Sequence, residues 1–209
     1  MEHLPTRRAF RKVVIGAILA TDMAQHSEMI KEAKGRIEGA GHSNGGSPTP
    51  GSLAAAGSID PARESDRQFL CNLLVHSSDL SSSVHPEFGV VDKWARMVCS
   101  EFTAEVQEQR RRGLPISTFM DNLKSDAQIG KLQVNFINYV VTPLWEGLAG
   151  ILPEARGCLD RLRRNVGRWQ AIVDAAAILD AAAEQSDVEA DEGSTKMAGE
   201  TSPAARRTE

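Results

Sequence analysis

Apolar residues along the chain recur at helical rather than strand spacing. Phe10, Val13, Val14, Ala17 and Ile18 make one stripe with basic residues opposite, which predicts a first helix from about Thr6 to Arg36. The stretch from Gly39 to Ser52 is rich in Gly, Ser and Pro, so residues 38–59 read as a flexible insertion. Asp60 as N-cap and Pro61 at the first helical position then predict a second helix with Phe69, Leu70, Leu73 and Leu74 inward, broken by the serine-rich run Ser81 to Pro86. A third helix, Phe88 to Arg112, carries Trp94, Met97, Val98 and Phe102 on one side and Glu101, Glu105 and Glu108 on another, and Gly113 ends it. A loop from Leu114 to Asp126 leads to a fourth helix from near Gln128, with Leu132, Phe136, Ile137, Val140 and Leu144 buried and a kink at Pro143. A fifth runs from about Pro153 to Ala183 on Leu159, Leu162, Val166, Trp169 and Val173. Residues 184–209 are acidic and aromatic-free and read as a disordered tail. No segment alternates as a strand does, so the expected class is all-α, with one domain over residues 1–183.

Composition narrows the partners. The 209 residues carry a net charge of −4, which gives no basic field for nucleic acid. The one dense basic run, Arg110-Arg111-Arg112, reads as a solvated helix end with cations near the negative dipole pole. Cys71, Cys99 and Cys158 are odd in number and widely spaced, which argues for free thiols. The longest apolar run, Val13 to Ala20, is far short of the roughly 20 residues a membrane span needs. Basic residues precede it as in a signal peptide, but Thr21-Asp22-Met23 gives no small-residue cleavage pattern.

Three places carry candidate chemistry. His76 and Asp79 stand three apart at the end of an apolar helical run and so share one helix face. An aspartate there is a plausible metal ligand beside a supporting imidazole, or simply a loop cap beside a satisfied histidine. Thr21 and Asp22 are unfavourable in mid-helix and call for a local hydrogen bond or a site, Met23 reads equally as a core filler, and His26 reads as solvent-facing. Gln133 and Phe136 also share a face: an amide that both donates and accepts, next to an aromatic plane, suits a purine. The plain alternative is a core phenylalanine beside a surface glutamine.

Four ordered motifs bind these places together: Ala20-Thr21-Asp22-Met23-Ala24-Gln25-His26, Val75-His76-Ser77-Ser78-Asp79-Leu80, Gly113-Leu114-Pro115-Ile116-Ser117 through Asp121, and Gln133-Val134-Asn135-Phe136 leading into Pro143-Leu144-Trp145-Glu146. Together they resemble the C-terminal part of the catalytic domain of class I 3′,5′-cyclic nucleotide phosphodiesterases, over about residues 6–37 and 65–175. The resemblance implies a site with two divalent ions, Zn2+ and Mg2+ or Mn2+, that share a hydroxide and clamp the phosphate. It makes Asp79 a metal ligand, His76 a supporting group, and Thr21 a neighbour of metal-bound solvent. Met23 and Leu80 would line the substrate pocket, Gln133 would read the purine edge, and Phe136 would clamp the base. A glutamine amide serves either purine by turning over, so cAMP and cGMP fit alike. Ser82, where several cAMP-selective relatives have asparagine, and Asn135, where relatives often have glycine, depart from the pattern.

None of the five histidines (His3, His26, His42, His76, His85) stands in the family's His-Asn-x-x-His or His-Asp-x-x-His motif, so no residue of this chain is assigned as the catalytic acid. The chain by itself is expected to be inactive, since one carboxylate does not define two ion sites. Some apolar faces should be exposed and available for association. A cytoplasmic enzyme part is the expected role, with membrane tethering by other regions left open. A pseudoenzyme or helical binding module is the alternative.

Overall fold

The computed structural model describes residues 7–41 and 59–198, and among these every regular element is helical. The helices are α1 (Arg7–Leu19), α2 (His26–Gly41), α3 (Glu64–Asp79), α4 (Phe88–Arg112), α5 (Asp126–Phe136), α6 (Thr142–Ile151) and α7 (Arg156–Ala198). One core collects their inner faces, from Met29 and Ala33 of α2 through Leu73 of α3 and Leu144 and Leu148 of α6 to Leu162 and Trp169 of α7. Complete burial of a leucine such as Leu73 or Leu144 stabilises the fold by roughly 1.5–3 kcal/mol.

The single helix expected over residues 6–36 is two. The Thr21 hydroxyl donates to the Ile18 carbonyl at 2.9 Å, and the Asp22 carboxylate accepts from the Ala24 N–H at 2.9 Å. Asp22 thereby caps a short 3₁₀ turn, Met23–Gln25. Short polar side chains that bond the local backbone offer it an alternative to the helix, and here that alternative wins. The expected cap at Asp60 also moves. Its carboxylate accepts from Ala62 N–H and closes a turn around Pro61, so α3 starts at Glu64. Residues 38–59 are not wholly an insertion: α2 continues to Gly41 and Ile59 lies in the core, while residues 42–58 lie outside the described residues. Asp66 anchors this join. It accepts from the Asp60 N–H at 2.9 Å and from Arg36 Nη1 at 3.1 Å, and the Arg36 guanidinium lies 4.4 Å over the Phe69 ring.

The bounds of α4 are as expected, and Gly113 caps it in the left-handed region (φ 67°), with the Leu114 N–H returning to the Gln109 carbonyl. Its buried seam is not the expected one. Val91, Ala95, Cys99 and Val106 face inward, while Trp94, Met97 and Val98 are exposed and Phe102 is half-buried. The inward row has the smaller side chains, and the bulkier row faces outward. Arg110 pairs with Asp121, and Arg111 and Arg112 with Glu108, as a solvated helix end does. All three cysteines are free; Cys99 is buried, while Cys71 and Cys158 are only partly so.

A capping box of Ser125 and Gln128 starts α5 at Asp126. Close approach of helices is set by glycine. A Cβ on Gly130 would stand 2.8 Å from Val173 Cγ2 and 3.3 Å from the Trp169 carbonyl oxygen, and one on Gly150 would meet Ile37 at 2.4 Å. Helix α7 runs past Ala183 to Ala198, so part of the expected tail is helical, in keeping with the high propensity of its Ala and Glu. Residues 199–209 lie outside the described residues.

Candidate functional site

Asp79 is the last residue of α3 and its side chain is exposed. A carboxylate at the negative pole of a helix is opposed by the dipole, so a cation placed there would be welcome. The chain leaves the helix through Leu80 into a 3₁₀ turn, Ser81–Val84. That turn is fastened from a distance: the buried Asn165 of α7 donates through Nδ2 to the Ser83 carbonyl (2.8 Å) and the His85 carbonyl (3.0 Å). Nothing in the local pattern around Asn165 signals this.

One turn before Asp79, His76 is fully buried and its Nε2 lies 2.8 Å from Nδ1 of His26 on α2. The rings meet edge to face, 5.2 Å between centroids. His26 is therefore not the solvent-facing residue that helical spacing suggested; it is 7% exposed. The break at Thr21–Asp22 resets the phase of the chain and turns the first residue of α2 inward. The outer nitrogens, His26 Nε2 and His76 Nδ1, are buried without a well-formed hydrogen bond. Burial pushes both imidazoles below the ordinary histidine range. Each ring has one opposing influence, the Val140 carbonyl on His26 and the Asp79 charge on His76, and His26 adds to the lowering of His76. Two neutral imidazoles share one proton in such a bond, one donating and one accepting.

Gln133 and Phe136 close α5 on one face, Gln133 buried and Phe136 half-buried. The helix then widens into a π segment, Ile137–Val141, in which the Thr142 N–H returns five residues to the Ile137 carbonyl. Pro143 is the cause: it has no N–H for the Tyr139 carbonyl, and its ring crowds that position in a regular helix. The widened turn absorbs the expected kink, and such π turns often accompany functional sites. Phe136 and Leu80 both pack on the edge of the common core. The histidine pair connects the end of α3 to α2. Asp79, Gln133 and Phe136 make no hydrogen bond to one another among the described residues. Met23 is exposed on its 3₁₀ turn, and the half-buried Thr21 spends its hydroxyl proton on Ile18. The exposed stripe of α4 ends where Phe102 meets Phe119 edge-on at 5.7 Å.

The donors do not make a metal cage. Among the described residues no three His, Cys, Asp or Glu converge. His76 points inward to His26, which leaves Asp79 as one carboxylate of the several oxygen or nitrogen ligands a divalent ion requires.

Comparison with known proteins gives these positions a setting. The chain matches the 3′5′-cyclic nucleotide phosphodiesterase family over residues 1–162. It is 35% identical over 170 residues to the probable 3′,5′-cyclic phosphodiesterase pde-3 of Caenorhabditis elegans, covering 78% of this chain and 22% of that protein. It is 31% identical over 168 residues to the 3′,5′-cyclic-AMP phosphodiesterase, isoform F, of Drosophila melanogaster, covering 80% of this chain and 23% of the relative. The fold superposes on the phosphodiesterase domain of the RhoPDE fusion protein from the choanoflagellate Salpingoeca rosetta with a TM-score of 0.70 and 26% identity, over 84% of this chain and 51% of that one. The chain thus belongs to the 3′,5′-cyclic nucleotide phosphodiesterase family and has the all-α architecture of its catalytic domains. It spans under a quarter of the length of these curated relatives and about half of the solved domain. Metal dependence is general to the family. Among the described residues no helix is long and apolar enough to cross a membrane.

Proposed function

We propose that this chain is the base-recognising part of a catalytic domain that hydrolyses cAMP or cGMP to the 5′-nucleotide. The observation that carries this is the pairing of Gln133 and Phe136 on one face of α5, at the start of a π turn, in a chain whose family is that of the cyclic nucleotide phosphodiesterases. Gln133 would hydrogen-bond the purine edge, Phe136 would stack on its face, and Leu80 and Met23 would bound the pocket. Asp79 would supply one carboxylate to the divalent ions, Zn2+ and Mg2+ or Mn2+, with His76 and Thr21 as supporting groups. The cytoplasm is the compartment this reading favours.

A second reading has its own support. With one candidate ligand among the described residues, nucleotide is bound without turnover by this chain alone. Base recognition and turnover are read separately by incubating purified chain with cAMP or cGMP and Mg2+, Mn2+ or Zn2+, following bound nucleotide by equilibrium dialysis and 5′-nucleotide by chromatography. Binding without product is expected of the chain alone. Metal-dependent product that disappears in Asp79→Asn would show that the chain is a complete catalyst. Neither binding nor product would remove the base-recognition reading.

A further inference from the structure

The residues proposed to recognise the base stand on separate segments. Gln133 and Phe136 are on α5, while Leu80 leads into the 3₁₀ turn Ser81–Val84. A pocket built from two segments binds well only if something fixes their separation. The turn does not hold itself: it has no side-chain cap at Leu80, and 3₁₀ hydrogen bonds are poorly aligned. One stretch of α7 backs both segments. Asn165, 3% exposed, donates through Nδ2 to the Ser83 carbonyl at 2.8 Å and to the His85 carbonyl at 3.0 Å. One helical turn on, the fully buried Trp169 meets the ring of Phe88, the first residue of α4, at 5.0 Å between centroids. The chain leaving Asp79 is therefore gripped on both sides of Pro86. The Trp169 carbonyl also marks the closest approach of α5: a Cβ on Gly130, three residues before Gln133, would stand 3.3 Å from it.

We infer that Asn165 is a positioning residue for nucleotide binding: acting through the Ser81–Val84 turn, it sets where Leu80 stands relative to Gln133 and Phe136. The residue type supports this. A buried amide costs free energy that an apolar side chain of similar size avoids, and leucine would fill the same space. Leucine would also take the donor away from the carbonyl of the buried Ser83, so the choice of asparagine serves the turn rather than the packing of α7. None of the residues proposed to touch nucleotide lies on α7, so Asn165 acts from outside the pocket. The inference rests on the base-recognition reading and adds to it the residue that fixes the pocket's width.

The test is equilibrium dialysis of the purified chain against cAMP and cGMP, comparing the parent with Asn165→Ala, Asn165→Ser and Leu162→Val. Leu162 is buried on the same helix, and shortening it loosens the core while leaving both hydrogen bonds of Asn165 in place. Asn165→Ala should weaken both nucleotides by about tenfold, the order that loss of an outer hydrogen-bond partner costs at a ligand site. Asn165→Ser, which keeps one donor, should weaken them less, and Leu162→Val should bind as the parent does. In NMR spectra the nucleotide-induced shifts at the Leu80 and Ser82 amides should fade in Asn165→Ala while those at Phe136 persist. Affinity equal to the parent in Asn165→Ala overturns the inference; if that variant does not fold, equal affinity in Asn165→Ser does so. A loss of the same size in Leu162→Val also overturns it, because binding would then follow stability alone. A parent that binds neither nucleotide removes the base-recognition reading and this inference with it, whereas a parent that binds beside variants that bind equally removes only this inference.

Discussion

His26 and His76 stand Nδ1 to Nε2 at 2.8 Å in the interior, fifty residues apart in sequence, and close α2 against α3 one turn before Asp79. Both are held below the ordinary imidazole pKa of 6.5, chiefly by burial. In each case the unfolded chain binds a proton more readily than the folded one. The stability they confer is fully present above about pH 6.5 and is lost as pH falls through the lowered folded values. Asp79 is the charge acting on His76, and it works against the shift. Asp66, a buried acid, is also lowered from 3.8 by the Asp60 N–H and Arg36, so its contribution is lost only in a more acidic window. Urea midpoints measured between pH 7.5 and 5 should fall, and His26→Leu should flatten that dependence. An unchanged slope in the variant would place the acid sensitivity elsewhere.

Asn165 holds two carbonyls of the turn that follows Asp79. Asn165→Ala leaves both without their donor, and at about 1 kcal/mol for each hydrogen bond the loss should be about 2 kcal/mol in urea unfolding. Asn165→Asp should be worse, because a buried carboxylate would face two carbonyl oxygens. Hydrogen exchange should quicken at the amides of the Ser81–Val84 turn before it does elsewhere. Uniform quickening would mean that Asn165 supports the whole fold rather than this turn.

Much of this architecture was legible because its cause is local. The ends of α4 follow from where its apolar period begins and from Gly113, and the shared face of Gln133 and Phe136 follows from their spacing. Other features have causes that spacing does not carry. Thr21 and Asp22 looked like polar residues inside a helix, yet their bonds to Ile18 and Ala24 end it, and that break alone turns His26 inward. On α4 two apolar rows were available, and spacing alone does not say that the row of Val91, Ala95, Cys99 and Val106 is the one that packs inward. Asn165 had no signal, since its partners lie about eighty residues away. The sequence pattern put Asp79 at the end of a helical run, and it is the last residue of α3.

Gly130 sets the distance between α5 and α7. A methyl group there would meet Val173 Cγ2 at 2.8 Å and the Trp169 carbonyl at 3.3 Å. The valine methyl can turn away, but the carbonyl is backbone and cannot. Gly130→Ala should gain helix propensity yet lose more to overpacking, a net destabilisation of about 1–2 kcal/mol. Thermal unfolding of the variant checks this, and Gly130→Ala with Val173→Ala should recover part of the loss. If the single variant is more stable than the parent, the two helices are less closely apposed than described.

The base-recognition reading makes the sharpest demand on Gln133. Its amide would satisfy a purine edge with one donor and one acceptor, whichever purine is bound, because the amide turns over to suit. Gln133→Ala should therefore weaken cAMP and cGMP alike, by about tenfold, which corresponds to about 1.4 kcal/mol. Phe136→Ala should weaken both as well, whereas Phe136→Tyr, which keeps the aromatic plane, should cost little. Because Gln133 is buried, folding must be separated from recognition. Nucleotide titration followed by NMR does this: the variant should keep the dispersed amide spectrum of the parent while the nucleotide-induced shifts along α5 fade. An affinity unchanged in both Gln133→Ala and Phe136→Ala would return the pair to the plainer role of a core aromatic and its neighbour.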